Sequence, residues 1–164
     1  MCVFDLALTR YLLISLRPWR RAIPVVCWLF AALLPMSRCL SATELATVQV
    51  GGADFQVEVV QREDERRRGL MFRQTLPADQ GMLFVQPPGR AEFWMKNTLI
   101  PLDLLYFDID GTLLEIVPAV PPCRVRNCPI YPSASAAVRY ILEIKAGEAA
   151  RRRIAVGASL LLDR

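Results

Sequence analysis

The stretch LDLLYFDIDGTLLEIV, residues 102–117, carries the strongest local fold signal in this chain of 164 residues. Apolar and aromatic side chains dominate residues 102–109, Asp110-Gly111 follows, and a second apolar run fills residues 112–117. Because Asp-Gly favours the backbone geometry of a tight hairpin turn, this pattern predicts two antiparallel strands joined by that turn.

Short apolar segments separated by turn residues continue on both sides of this hairpin. Alternation around Gly51-Gly52 predicts a second hairpin, and the spacing between strands leaves no room for a helical crossover. The composition therefore predicts a mainly β fold of the β-rich α+β class, either an antiparallel sandwich or a partly open barrel, with two short helices. The predicted strands are residues 48–50, 55–60, 82–85, 92–96, 102–109, 112–117, 138–144 and 160–162, and the predicted helices are residues 63–68 and 148–153.

Proline and charge patterns mark the limits of these elements. Pro87-Pro88-Gly89 predicts the end of a strand, and five prolines within residues 118–132 predict a long irregular loop. The helix EDERRR, residues 63–68, has acids first and bases last, which matches the helix dipole and predicts three ion pairs at i,i+3 spacing before Gly69 ends it.

The first 42 residues have the composition of a signal peptide. A basic segment precedes residues 22–34, which are thirteen uncharged residues, and these are too few to span a bilayer comfortably. We therefore predict a cleaved leader over residues 1–42, or an uncleaved anchor through residues 22–34, and a single domain over residues 43–164. The domain is expected to be exported to the periplasm or secreted.

The net charge of +4 comes from this leader. Its residues include five arginines and one aspartate, so the remaining 122 residues carry 15 basic and 15 acidic side chains. A neutral domain gives no charge-based reason to expect nucleic acid as a partner. Membrane association is expected only through an uncleaved leader.

Two of the five cysteines, Cys123 and Cys128, lie outside the leader. An even pair in an exported domain usually forms a disulfide, and the absence of histidine argues against a common zinc set. We predict a Cys123–Cys128 disulfide and no metal or other cofactor. Prolines at positions 122 and 129 restrict the backbone on both sides of the ring.

The segment FWMKNT, residues 93–98, is the most unusual in the chain. Strand alternation places Trp94 and Lys96 on one face and Phe93 and Met95 on the other. If Phe93 and Met95 face the core, the first pair forms an aromatic and cationic surface for a sugar, an acidic group or a partner loop. In the alternative interpretation Trp94 is buried and Lys96 pairs with Asp103.

Other motifs favour structural roles. The sequence DIDGTL at residues 108–113 matches a phosphatase nucleophile signature, but such chemistry sits in a parallel α/β sheet, and the four acids downstream of the motif include no adjacent pair. Asp103, Asp108 and Asp110 are candidates for a carboxylate pair in a hydrolase. Three methionines, at positions 71, 82 and 95, are interpreted as core residues rather than soft copper ligands.

Several blocks together resemble the DUF192 family, which consists of uncharacterised and often exported bacterial and archaeal proteins. The resemblance extends from Val48 to Leu162 and implies a compact, mainly β domain of jelly-roll-like character, with no established reaction. The blocks are residues 68–73 (RGLMFR), 81–84 (GMLF), 93–98 with 101–103, 122–123, 128–129, 131–133, 146–147 and 156–157.

These observations favour a non-catalytic exported binding or accessory domain that recognises a small molecule, a sugar or an envelope partner. Its candidate binding residues are Trp94, Lys96, Asn97 and Asp103, beside the loop closed by the two cysteines. A carboxylate-based hydrolase without histidine is the first alternative, and a purely structural envelope protein is the second. A two-carboxylate hydrolase requires a pocket that holds both carboxyls, one with a raised pKa.

Overall fold

A computed structural model describes residues 44–163 of the chain. The predicted leader, residues 1–42, lies outside the described residues, so its cleavage or anchoring stays a prediction. Within residues 44–163, neither helix has the length and hydrophobicity needed to cross a bilayer.

Nine strands and two short helices form the described part of the chain. In order they are β1 (Glu44–Val50), β2 (Ala53–Val60), α1 (Glu63–Arg68), β3 (Gln80–Gly89), β4 (Glu92–Trp94), β5 (Leu102–Phe107), β6 (Leu113–Val120), β7 (Ile130–Pro132), β8 (Val138–Lys145), α2 (Glu148–Arg151) and β9 (Leu160–Asp163).

Seven of the strands form one curled sheet in the order β6-β5-β8-β3-β2-β1-β9, and β4 pairs with β7 in a separate ribbon. The curled sheet is a half-barrel, which confirms the β-rich fold class and selects the partly open barrel among the predicted alternatives. Strand β8 lies inside this sheet, between β5 and β3, although it is the next-to-last strand in the sequence.

The hairpin at residues 102–117 is confirmed as β5 and β6. Asp108 shapes its turn, because one carboxylate oxygen accepts hydrogen bonds from the backbone N–H groups of Asp110 (3.0 Å) and Thr112 (2.8 Å). Gly111 has a φ of +80°, and a Cβ atom there would approach the carbonyl oxygen of Leu160 to 2.8 Å. The DIDG motif is therefore a structural turn.

One expectation about topology is wrong. Strands β2 and β3 pair in parallel, with Val57 opposite Gly81, and α1 lies in the connection between them. This is a short βαβ crossover, which the sequence did not indicate because α1 has only six residues and most of the connection is irregular. All the other strand pairs of the sheet are antiparallel.

Proline ended fewer strands than we predicted. Strand β3 continues through Pro87 and Pro88, because its register with β8 shifts between Val85 and Gly89 and the prolines are not needed as donors there. Strand β6 likewise continues through Pro118 on the open edge of the sheet. The predicted loop of residues 118–132 ends in β7, which pairs with β4.

Hydrophobic residues pack on both faces of the sheet. One cluster contains Leu70, Met82, Met95, Leu104 and Tyr106, and the other contains residues such as Phe55, Leu105 and Leu142. The apolar residues of β5 and β8 alternate between the two clusters, so both of these strands are buried on both sides.

Candidate functional site

Three segments that are distant in sequence meet above the first core cluster. The backbone N–H of Phe72 donates to the carbonyl oxygen of Asn97 (2.8 Å), and the N–H of Asn97 donates to the carbonyl oxygen of Cys123 (2.9 Å). The N–H of Cys123 in turn donates to the carbonyl oxygen of Met95 (3.3 Å). The loop after α1, the segment after β4 and the cysteine loop are thus joined by main-chain hydrogen bonds.

The cysteine loop is closed by the expected disulfide. Cys123 and Cys128 are bonded, with Cα atoms 5.9 Å apart, which confirms the predicted pairing. Cys123 is 6% exposed and packs with the first core cluster. The disulfide therefore anchors the residue whose backbone holds Asn97 and Met95 in place.

Side chains of the FWMKNT segment alternate as predicted. Phe93 packs edge-to-face on Phe84, with ring centroids 4.9 Å apart, and Met95 is buried. Trp94 is 45% exposed, and the Lys96 Nζ atom lies 5.2 Å from the centroid of its ring. An aromatic and cationic surface thus exists, although β4 ends at Trp94 rather than at the predicted residue 96.

Beneath this surface lies Glu143 of β8, a residue that we did not predict as part of the site. Its cross-strand partners are Met82 of β3 and Leu104 of β5, which belong to the first core cluster. Glu143 is 5% exposed, and its Oε2 atom is buried without a hydrogen-bond partner among residues 44–163. Burial raises the pKa of Glu143 to about 8, so the carboxyl is mostly protonated at neutral pH.

We call the cavity above this carboxyl the Glu143 pocket. The pocket encloses about 20 Å³, which is enough for about one water-sized group. The pocket is lined by residues 66–71 at the C-terminal end of α1 and the loop after it, by the β4 segment, and by core side chains. The complete lining is Arg66, Arg67, Arg68, Gly69, Leu70, Met71, Phe84, Phe93, Trp94, Lys96, Thr98 and Glu143.

Two open grooves adjoin the Glu143 pocket. The first, of about 350 Å³, shares Arg66, Arg67, Phe93 and Trp94 with the pocket, and we call it the Trp94 groove. Its remaining lining residues are Glu63, Gln86, Glu92 and Ile130. The second, of about 580 Å³, shares residues 68, 69 and 71 with it. Both volumes are in the range of small-molecule sites, so a ligand that reaches the pocket has room for its body.

Arginines of α1 form the rim, and their pairing differs from the prediction. Asp64 and Glu65 are paired with Arg62, at 2.5 Å and 3.7 Å, rather than with Arg67 and Arg68. The remaining acid of the helix, at position 63, pairs with Arg67 at 2.6 Å. The predicted i,i+3 pairs are wrong because the residue that precedes the helix takes two of its three acids.

Asp103 lies away from this site. Its Cα partner is Ile144, which belongs to the second core cluster, so the side chain faces the opposite side of the sheet from Glu143. Asp103 is 1% exposed, and its carboxylate accepts hydrogen bonds from the N–H groups of Ala119 (2.8 Å) and Ala149 (3.0 Å). The Lys96–Asp103 pair is therefore wrong, and the structure does not bring Asp103 to the surface formed by Trp94 and Lys96.

The remaining candidates contribute little chemistry. Asp108 and Asp110 lie in the β5–β6 turn, so the three aspartates considered for a hydrolase do not share a pocket. Met82 and Met95 belong to the first core cluster, as predicted, and Met71 is half-buried. Within the described residues, no three cysteine or acidic side chains are grouped as potential metal ligands.

Comparison with known proteins identifies a family that the chain matches, and that family has no described activity. The DUF192 family model, described as "Uncharacterized ACR", matches residues 46–162. A crystal structure of a protein of unknown function from Novosphingobium aromaticivorans is 32% identical, covers 79% of this chain and 94% of its own, and has a TM-score of 0.68.

A crystal structure of a putative transcription regulator from Sinorhizobium meliloti is 31% identical and also has a TM-score of 0.68. The match covers 73% of this chain and 95% of that one. No curated protein matches the chain.

Proposed function

Since the chain belongs to the DUF192 family, whose description names no reaction, we propose from its own residues that the domain is an exported, non-catalytic small-molecule binding module. The ligand would enter the Glu143 pocket with one polar group and lie with its body on Trp94. The observation that carries this proposal is that Glu143, which lines the pocket, has a buried Oε2 atom without a hydrogen-bond partner among residues 44–163.

Glu143 supports a binding role because its position is unfavourable for the free domain. A buried polar atom without a partner lowers stability by roughly 1–3 kcal/mol. A carboxyl group between Met82 and Leu104 has no structural role comparable to that of Asp103, which satisfies two backbone donors. A ligand that forms a hydrogen bond with Oε2 would supply the missing partner and recover this lost stability.

The mouth of the pocket has the composition of a recognition surface. Trp94 offers a half-exposed ring, on which the flat face of a sugar or an aromatic group can pack. Lys96 lies over the same ring, so an apolar face and a cation are presented side by side. The disulfide and the main-chain hydrogen bonds of Asn97 fix this surface before the ligand arrives, which reduces the entropy lost on binding.

Export is part of the proposal. The leader pattern of residues 1–42 supports it, and so does the Cys123–Cys128 disulfide, since such bonds persist mainly in oxidising compartments. The description of the Sinorhizobium structure as a putative transcription regulator does not lead us to propose DNA binding. The longest helix among residues 44–163 has six residues, which is short for a recognition helix.

A carboxylate-based hydrolase is a weaker candidate. Glycoside hydrolysis requires two carboxyl groups that flank the scissile bond, and Glu143 is the only acid that lines its pocket. Glu143, with its raised pKa, has the property required of the acid in such a pair. The second carboxyl is not supplied by Asp103, because that residue lies on the opposite face of the sheet.

A thermal-shift screen of the folded domain against sugars, cell-wall fragments and small acids tests the proposal. Ligands that raise the Tm of the wild type should lose their effect in Trp94→Ala and Lys96→Ala. Leu161→Ala and Lys145→Ala are matched controls, because these side chains are exposed on β9 and at the end of β8. Binding that survives both site substitutions would show that the site is elsewhere.

A different outcome would favour the structural alternative. If no small molecule shifts the Tm and one envelope protein binds the domain stoichiometrically, the small-molecule proposal is wrong. Repeating the capture with Trp94→Ala would then show whether the same surface serves that protein partner.

A further inference from the structure

The rim of the Glu143 pocket has more positive than negative charge. Lys96 and Arg68 lie within 4 Å of no carboxylate among residues 44–163. The guanidinium of Arg66 is hydrogen-bonded to the carbonyl oxygens of Gln61 and Val85, which leaves its charge unpaired. Arg67 is paired with the acid at position 63, so three of the four cations that line the pocket lack a counter-ion.

This imbalance has a local cause. Arg62, at the N-terminal end of α1, takes Asp64 and Glu65, which would otherwise be neighbours of the basic half of the helix. Residues 62–68 contain four arginines and three acids, so the segment has a net charge of +1. Its three helical arginines all line the Glu143 pocket, whereas none of its acids does, so the excess positive charge lies at the pocket. A ligand with negative charge would be attracted to this side of the domain.

The floor of the pocket is neutral rather than negative. Desolvation raises the pKa of Glu143, and the titratable groups around it are the arginines 66–68 of α1, Lys96 beyond β4 and Tyr106 of β5. The Tyr106 hydroxyl donates a hydrogen bond to the carbonyl oxygen of Tyr131 (3.0 Å), so it is not a donor to Glu143. A neutral carboxyl has one O–H donor, which an ionised carboxylate lacks.

Together the rim and the floor define a ligand class. We propose that the protonated Glu143 donates a hydrogen bond to a carboxylate oxygen of the ligand, while Lys96 and Arg68 balance its charge, so that the domain binds small organic acids. The inference rests on the proposed function and deepens it. A cationic ligand would have to pass three unpaired cations to reach Glu143, which disfavours an amine as its natural group.

The size of the pocket limits how this group is bound. A space of about 20 Å³ accepts about one oxygen atom, whereas the body of the acid must remain in the Trp94 groove. Phe93, Trp94 and Ile130 form the apolar part of that groove, where an aromatic or other apolar body can pack. The two acids of the groove, at positions 63 and 92, are matched in number by its two arginines, at positions 66 and 67. Protonated acids of buried sites act as hydrogen-bond donors to anionic oxygens in the same way.

Benzoate, benzamide and benzylamine test this inference as a matched series with one ring and three head groups. Binding is followed by two-dimensional NMR of the folded domain, with the Trp94 indole N–H and the Gly69 amide as reporters. At pH 6.5 we expect benzoate to bind at least tenfold more tightly than either of the other two. Lys96→Ala should weaken benzoate binding, and Lys145→Ala should leave it unchanged.

The pH dependence separates the role of Glu143 from general attraction. Above about pH 8 the protonated fraction of Glu143 falls tenfold per pH unit, and the affinity for benzoate should fall by about the same factor. Glu143→Gln keeps an N–H donor, so it should bind benzoate with no such fall between pH 7 and 9. Glu143→Leu has no donor and should lose at least tenfold at pH 6.5.

The outcomes distinguish this inference from the proposed function. Preferred binding of benzylamine, or benzoate affinity that is equal at pH 6.5 and pH 9, would overturn the organic-acid inference and leave a binding pocket in place. Hits in the thermal-shift screen that are all uncharged would overturn it as well. If no compound of any class binds, the proposed function itself fails.

Discussion

The backbone N–H of Phe72 donates a 2.8 Å hydrogen bond to the carbonyl oxygen of Asn97, and both residues have positive φ angles, of 64° and 57°. Positive φ is uncommon for residues with side chains, and asparagine tolerates it much better than phenylalanine. The loop after α1 and the segment after β4 thus meet through two left-handed residues. Their sequence neighbours Met71, Lys96 and Thr98 line the Glu143 pocket, so this left-handed pair lies beside it.

Substitution of Asn97 tests the left-handed conformation. Asn97→Ala should lower the free energy of unfolding by about 1 kcal/mol, because the Cβ atom of alanine is sterically strained at positive φ and its side chain cannot form a local hydrogen bond. Asn97→Gly should stay close to the wild type, since glycine adopts this region freely. Denaturant unfolding measures both. Asn127→Ala is the control, because Asn127 is exposed and has no positive φ, and an equal loss there would contradict the conformational explanation.

Glu143→Gln should change how stability depends on pH. The pKa of Glu143 is about 8 in the native domain and near 4.5 in an unfolded chain, so the native state holds a proton that the unfolded state has released. The free energy of unfolding of the wild type therefore falls as pH rises from about 4.5 to about 8, by on the order of 1 kcal/mol per pH unit, and this contribution is constant above that window.

Unfolding curves at pH 5, 6.5 and 8 measure this effect. The glutamine variant lacks the titration, so its stability relative to the wild type should increase across the series. Glu92→Gln makes the same chemical change at an exposed position on β4 and should show no widening difference. A constant difference between Glu143→Gln and the wild type would show that the carboxyl is solvated.

Asp103 should matter for stability and not for binding. Asp103→Ala leaves the N–H groups of Ala119 and Ala149 without their acceptor, which should cost about 3 kcal/mol. Binding of benzoate should be unchanged at temperatures where the variant is folded, because Asp103 faces the opposite side of the sheet from Glu143. Asp79→Ala, at an exposed position, is the stability control and should cost less than about 0.5 kcal/mol.

The disulfide should affect binding more than stability. The double substitution Cys123→Ser with Cys128→Ser should cost about 2 kcal/mol or less, since the ring that the bond closes is small. The backbone of Cys123 positions Met95 and Asn97, so the variant should bind benzoate more weakly while it remains folded. Denaturant unfolding and NMR titration measure the two effects, and unchanged binding would separate the loop from the site.

The oxidation state itself can be checked directly. Mass spectrometry of unreduced, alkylated protein from its native compartment should show no alkylated thiol at either position. Two labelled thiols would contradict the disulfide in the mature protein.

Local signals predicted the parts of the fold that depend on nearby residues. The β5–β6 hairpin follows from Asp110-Gly111, and the ends of α1 follow from its acids, its bases and Gly69, because turns and caps involve few residues. The parallel pairing of β2 and β3 was missed, since it depends on contacts across a connection with little regular structure.

Burial on two faces explains why the site was only partly predicted. In a strand with one solvated face, alternation shows which side chains are buried, and this worked for residues 93–96. All six residues of β5 and four consecutive residues of β8 are buried, so the pattern could not show that Asp103 and Glu143 are inside and on opposite faces. The signal available for Glu143 was one acid within the apolar run ILEI.

The place of β8 in the sheet has a consequence for how the domain is made. The floor of the pocket comes from a strand near the end of the chain, while the rim comes from residues translated some fifty to eighty positions earlier. A nascent chain that ends before residue 138 contains the rim arginines and Trp94 but lacks the strand that lies between β3 and β5. The Glu143 pocket is therefore completed only when synthesis of the domain is almost finished, and the binding that we propose would require the finished protein.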